Sequence, residues 1–176
     1  PYALEVLAAV LDGGSSARLD RELVRGSRLA VSADAEYSAF KRLSGMLVFD
    51  AVPEDGHSVE EVEAALRAQV KRLREEPVSA AELERVIRQT VASKVYEKDS
   101  VFYQAMQIGL LETVGLDWRL ADTYVDRLRS VTAGQLQQVA RKYLADENLT
   151  VAVLDPQPMA GNVAANMDGG NADDVR

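Results

Sequence analysis

The chain has 176 residues, 47% hydrophobic and 27% charged, proportions that fit one globular domain with a sizeable core. Its net charge of −8 argues against a nucleic-acid partner, because an acidic surface repels phosphate backbones. It has no cysteine and a single histidine, His57, which excludes disulfides, thiolate metal sites and a Cys nucleophile and leaves no pair of imidazoles for a catalytic zinc. No run approaches the roughly 18–20 apolar residues of a membrane span.

Pro1 to Leu11 is apolar on nearly every side, with Tyr2, Leu4, Val6, Leu7, Val10 and Leu11, and predicts a helix covered by neighbours on several faces. Asp12-Gly13-Gly14-Ser15-Ser16 ends it, and Ser15 or Ser16 can cap a second helix. There Leu19 and Leu23 lie one turn apart amid charged residues, and Gly26 closes the segment. A glycine-rich loop before a helix can cradle phosphate, but no Lys-Ser or Lys-Thr follows, so the reading is helix–turn–helix. Leu29 to Tyr37 alternates loosely and Gly45 to Val52 reads as a stronger strand, with a connector short enough for antiparallel pairing. Val52-Pro53-Glu54-Asp55-Gly56 marks the exit turn.

Capping boxes then announce further helices at Ser58-Val59-Glu60-Glu61, Ser79-Ala80-Ala81-Glu82 and Thr132-Ala133-Gly134-Gln135. Val62, Leu66, Val70 and Leu73 continue the first as a helical stripe, and Val101 to Val114 and Trp118 to Leu128 read as helices between the last two boxes. Leu149, Val151 and Val153 alternate and predict a half-buried closing strand that ends at Asp155-Pro156. Residues 156–176 hold almost no large apolar side chain, so they are expected to form a disordered tail after a domain spanning residues 1–155. The order of elements predicts an α+β fold, helices packed on one face of a largely antiparallel sheet. With so few strands for so many helices, at least one more strand is expected ahead of Pro1.

Candidate chemical groups are sparse. His57 lies in a polar turn with no partner imidazole, and Glu60, Glu61 and Glu63 read as first-turn charges that complement a helix dipole. Trp118 reads as a core or interface anchor, and Tyr37 and Phe40 as packing near the strand turn.

The string Leu11-Asp12-Gly13-Gly14-Ser15-Ser16-Ala17-Arg18-Leu19 resembles the Leu-Gly-Gly-Gly-x-Ser-Ser-Arg-Leu turn of the M16 (pitrilysin/insulinase-like) metallopeptidases. Glu22-Leu23, the Leu29-Ala30-x-Ser32 strand, Val59 to Glu63, Ser79 to Arg85, Val131-Thr132-Ala133 and Val139 to Leu144 follow in that family's order, and Asn148 to Val153 resembles its closing strand. The resemblance covers about residues 2 to 155.

It implies a concrete division of labour. Homologous halves of these peptidases pair into a closing chamber that holds an unfolded peptide. One half carries His-x-x-Glu-His, whose histidines bind zinc while its Glu acts as general base on the metal-bound water. The other half lacks metal and in many members supplies an Arg and, seven residues later, a Tyr that bind the peptide. A chain with one histidine cannot hold the zinc motif, so the resemblance points to the metal-free C-terminal half, with no catalytic residue and no cofactor of its own. Zinc is expected in a homologous zinc-bearing half or subunit, with which this domain and an unfolded peptide would associate. Aligning Leu29-Ala30 with the family's Leu-Ala puts Val24 at the Arg position and Val31 at the Tyr position, so the polar clamp is absent from the candidate substrate-binding sites. The resemblance leaves two functions open: a wall and partner surface of a proteolytic chamber, or a scaffold subunit with no proteolytic role. Bacterial relatives point to the periplasm as compartment, with the cytoplasm as alternative.

Overall fold

The computed structural model describes residues 1–97 and 99–155. Helix α1 (Tyr2–Leu11) lies at its centre, with Val6, Leu7, Val10 and Leu11 wholly shielded from solvent. Strand β1 and helices from later in the chain surround it, which is why its sequence is apolar on so many sides. At Gly13 a Cβ atom would come 2.3 Å from the Ala9 carbonyl oxygen, so the reversal after α1 admits only glycine.

The next segment differs from the regular helix expected there. Asp20–Val24 winds as a π-turn, with Arg25 N–H donating to the Asp20 carbonyl and Ser27 N–H to the Glu22 carbonyl, each at 2.9 Å. The Ser27 hydroxyl also donates to the Glu22 carbonyl, at 2.8 Å, and holds the widened turn closed. Leu19 and Leu23 nevertheless both reach the core.

Strands β1 (Ala30–Tyr37) and β2 (Leu47–Pro53) pair antiparallel, with Ala33 opposite Ala51, Asp34 opposite Asp50 and Ala35 opposite Phe49. The inward residues Ala30, Ala33 and Ala35 are small and buried, which lets α1 approach the sheet closely. Helices α2 (Val59–Glu75), α3 (Ala80–Glu97), α4 (Val101–Thr113), α5 (Leu120–Arg129) and α6 (Ala133–Tyr143) complete the α+β arrangement.

Two of the expected capping boxes form in full. Ser58 Oγ accepts from Glu61 N–H at 3.2 Å while Glu61 Oε2 accepts from Ser58 N–H at 2.9 Å, and Thr132 and Gln135 repeat the arrangement at α6. The box at Ser79 forms by half. Ser79 Oγ accepts from Glu82 N–H at 3.2 Å, but the Glu82 carboxylate is held by the Arg18 guanidinium instead of the Ser79 N–H. A charge-assisted pair out of water outcompetes a neutral backbone donor at a helix end that water can reach.

The expected closing strand is also corrected. Leu149 is extended (φ −90°, ψ 133°), yet the segment from Leu149 to Val153 joins no ladder, and Leu149, Val151 and Val153 are 47%, 49% and 58% exposed. Alternation sets which side chains share a face, but a strand also needs an adjacent edge to pair with. Among the described residues the sheet consists of β1 and β2 alone. The expected tail, residues 156–176, lies outside the described residues.

Candidate functional site

Val24 and Val31 flank the passage from the π-turn into β1. Val24, the last residue of the π-turn, is half-buried and packs against the core cluster. Leu29 N–H donates to the Leu23 carbonyl at 2.9 Å and ties the start of the strand segment back to the turn. The ladder is irregular between Ala30, opposite Pro53, and Ser32, opposite Val52. Val31 is therefore the extra residue of a bulge, and its side chain is 57% exposed on the face away from α1. Bulges re-aim a side chain in this way. The two candidate positions thus share a region and differ in environment, one leaning on the core and the other open to solvent.

The face that carries Val31 also presents Asp34 and Glu36 from β1 and Val48, Asp50 and Val52 from β2. Asp34 and Asp50 stand directly opposite each other, a pairing that costs stability in an exposed ladder. On the outer edge of β1, Ala35 N–H donates to Asp12 Oδ2 at 3.2 Å, so the Asp12 side chain occupies one donor of that edge. In the described ladder β2 pairs on one side only.

Beneath this face the Asp12–Leu19 turn is locked to the helices. Arg18, 5% exposed, makes a bidentate pair with Glu82 through Nε at 2.9 Å and Nη2 at 2.7 Å. The guanidinium's hydrogen bonds hold the Glu82 carboxyl below its usual range, against the opposing effect of burial. Ser16 Oγ, a possible cap in the sequence, instead accepts from Arg85 Nη1 at 2.7 Å. Glu22 gathers Arg21, Arg72 and Gln69 around its carboxylate. Burial raises the Glu22 pKa, but those hydrogen bonds outweigh it and hold the value at about 2. Arg18, Glu22 and Glu82 are the positioning residues that sequence reasoning missed. Arg18 belonged to a recognised motif, but no local signal tied it to a residue 64 positions away.

A second buried group lies at the other end of α1. The Tyr124 hydroxyl donates to the Glu5 carboxylate within an aromatic cluster in which the rings of Tyr2 and Phe40 stand 5.6 Å from that of Tyr124. Burial pushes the Glu5 carboxyl up, and its Oε2 has no hydrogen-bond partner among the described residues. The one available signal was that Glu5 is the only charged residue between Pro1 and Leu11. Phe40 is therefore part of an inward cluster, while Trp118 is 40% exposed with the Arg119 guanidinium 4.9 Å from its ring centre.

His57 stands in an exposed turn with Nδ1 3.3 Å from Glu61 Oε2. Among the described residues no group of three His, Cys, Asp or Glu side chains is placed to hold a metal ion. No described helix is long and apolar enough to cross a membrane.

A helix-covered antiparallel sheet with a docked glycine turn defines the class of protein, an α+β domain of the peptidase-like kind. The sequence profile of the peptidase M16 inactive domain matches residues 1–90 of the 176, and the chain belongs to that family. The structure is similar to that of a "putative zinc protease" from Bordetella pertussis Tohama I, with a TM-score of 0.77 at 24% identity over 89% of this chain and 84% of that one. It is also similar to the inactive peptidase domain of a "putative zinc protease" from Bordetella parapertussis, with a TM-score of 0.75 at 24% identity over 90% and 86% of the two chains. A protease from Helicobacter pylori gives a TM-score of 0.76 at 22% identity over 84% of this chain. At these identities the likeness establishes the fold, and the chain spans only 35% of the Helicobacter pylori protein. No curated protein sequence gives a significant match.

Proposed function

We propose that this domain serves as the metal-free wall of an M16 peptidase chamber, pairing with a homologous zinc-bearing half and receiving an unfolded peptide on the open face of its sheet. The observation that supports this reading is Val31, exposed at the register shift of β1 on the face opposite the helices, at the position the resemblance assigns to the clamp. The peptide would meet valines and carboxylates there in place of an Arg–Tyr clamp, so its grip would come from backbone pairing along the edge of β2 that is unpaired among the described residues. Hydrolysis would fall to the zinc-bearing half, because one histidine cannot supply the two imidazoles of the family's metal motif.

The test is to purify the parent assembly by a tag on this domain and identify its polypeptides. A His-x-x-Glu-His segment in the same or a co-purifying chain, with zinc-dependent cleavage of an unfolded protein, is the expected outcome. An assembly lacking that segment and inert toward peptides would overturn it in favour of a scaffold subunit, the reading to which the missing clamp residues lend support.

A further inference from the structure

We propose that Glu5 and Phe40 form a proton-operated latch: while the Glu5 carboxyl is protonated, the Phe40 ring closes the aromatic cluster and pins the connector between β1 and β2, and loss of the proton frees it. This inference does not rest on the proposed peptidase role.

The surroundings of Glu5 are built of rings. Tyr2 and Tyr124 stand 5.6 Å apart, and Phe40 completes the triangle, 6.3 Å from Tyr2 and 5.6 Å from Tyr124. The Tyr124 hydroxyl donates to Glu5 Oε1, whereas Glu5 Oε2 is shut off from solvent and meets no donor among the described residues. A carboxylate out of water needs donors on both oxygens, and a neutral carboxyl needs fewer, so this site suits the protonated form. Tyr124 keeps its own proton, since burial and the neighbouring carboxylate both push its pKa up.

The other groups that face Glu5 do not reverse this. Lys94 of α3 favours the carboxylate, but its Nζ lies 3.1 Å from both carboxylate oxygens of Glu97, which opposes it. The Pro1 amino group also favours the carboxylate, while the Arg127 guanidinium of α5 lies over the Tyr2 ring, 5.6 Å from its centre. From β1 and α6 come the phenols of Tyr37 and Tyr143. Burial outweighs these groups and raises the Glu5 pKa above 4.5.

Ionisation therefore calls for water at Oε2, and one wall of the cluster can admit it. Helices α1, α3 and α5 are each anchored by a shielded side chain, Leu7, Val86 and Leu128. The connector has no such anchor. Residues 41–46 are all exposed, Leu43 and Met46 by 82% and 67%, and Phe40 is the large side chain through which the connector meets the core. Phe40 is thus the ring that gives way. Because the folded pKa of Glu5 is raised, the latch is closed at low pH and opens as the pH rises through that value.

Fluorine NMR of the chain grown with fluorophenylalanine provides the test. The sequence holds three phenylalanines, Phe40, Phe49 and Phe102, and Phe40→Leu assigns the first. As the pH rises above 4.5, the Phe40 resonance should gain the solvent isotope shift of an exposed ring, for which Phe102, 72% exposed, is the internal standard. The Phe49 and Phe102 signals should stay in place. Glu5→Gln, neutral at every pH, should keep Phe40 in its closed position throughout. Tyr124→Phe removes the donor that favours the carboxylate, and Lys94→Met removes the nearby cation, so each should move the transition to higher pH. A merely structural loss of packing would instead open the latch at every pH or move its transition down. Either of those results would overturn the proposal, as would a Phe40 signal indifferent to pH, one that titrates alike in Glu5→Gln, or three signals that move together.

Discussion

Replacing Arg18 by Met removes one member of a pair whose side chains are 6% and 15% exposed. Breaking a buried ion pair from one side costs about 3–5 kcal/mol, because the remaining charge is left uncompensated. Two features of this site lower the figure. Glu82 is the more exposed partner, so water can reach its carboxylate, and once released that carboxylate can turn to the Ser79 N–H and complete the half-formed capping box, recovering about 0.5–1 kcal/mol. Arg18→Met should therefore cost about 2–3 kcal/mol, against a total stability of roughly 5–15 kcal/mol for a domain of this kind. Glu82→Leu leaves a guanidinium with no acceptor in the more buried position and should cost about 3–5 kcal/mol. The double variant removes both charges and should lie within about 1 kcal/mol of the wild type. Urea unfolding at neutral pH, followed by Trp118 fluorescence and circular dichroism, measures all three. The folded-state pKa of Glu82 is lowered from 4.5, so the pair's contribution is present above pH 4.5 and is lost as the pH falls below it; the Arg18→Met deficit should shrink in that direction. A double variant as unstable as the sum of the single ones, or a deficit for Arg18→Met below about 0.5 kcal/mol, would refute the assignment of this pair as the lock on the turn.

Val24 and Val31 should respond differently to substitution by the Arg and Tyr of the proposed clamp. Val31→Tyr places a ring on an exposed bulge and should shift stability by no more than about 0.5 kcal/mol, whereas Val24→Arg forces a charge against the core edge and should cost about 1–3 kcal/mol, both read from urea midpoints. Equal costs at the two sites would contradict the environments described. Acid titration should separate Glu5 from Glu22. The folded pKa of Glu22, about 2, lies below the ordinary 4.5, so its contribution is present above pH 4.5 and disappears as the pH falls toward 2. The folded pKa of Glu5 is raised above 4.5, so its contribution is present below pH 4.5 and is lost as the pH rises through the folded value. Glu5→Gln should flatten stability above pH 4.5 and leave the acid limb in place; a uniform loss at every pH would contradict the buried carboxyl.

Much of the architecture was legible because its causes are local. The apolar wrap of Tyr2–Leu11 and the boxes at Ser58 and Thr132 each specify a backbone state through neighbours a few residues away, and the structure shows those helices where the residues placed them. The order of such elements was also enough to identify the M16 half-domain, and the single histidine separated this chain from the family's zinc motif before any coordinates. Tertiary structure decided the rest. The Glu82 carboxylate left its capping role because Arg18 arrived from a distant turn, and Leu19 and Leu23 could be buried by a π-turn as well as by an α-turn, since both present the same pair inward. The alternation of Leu149, Val151 and Val153 prescribes only a strand-like face, because a ladder depends on an edge supplied by other parts of the fold. The outward turn of Val31 arises from a mismatch between the registers of β1 and β2, and neither strand contains that mismatch until the two are paired.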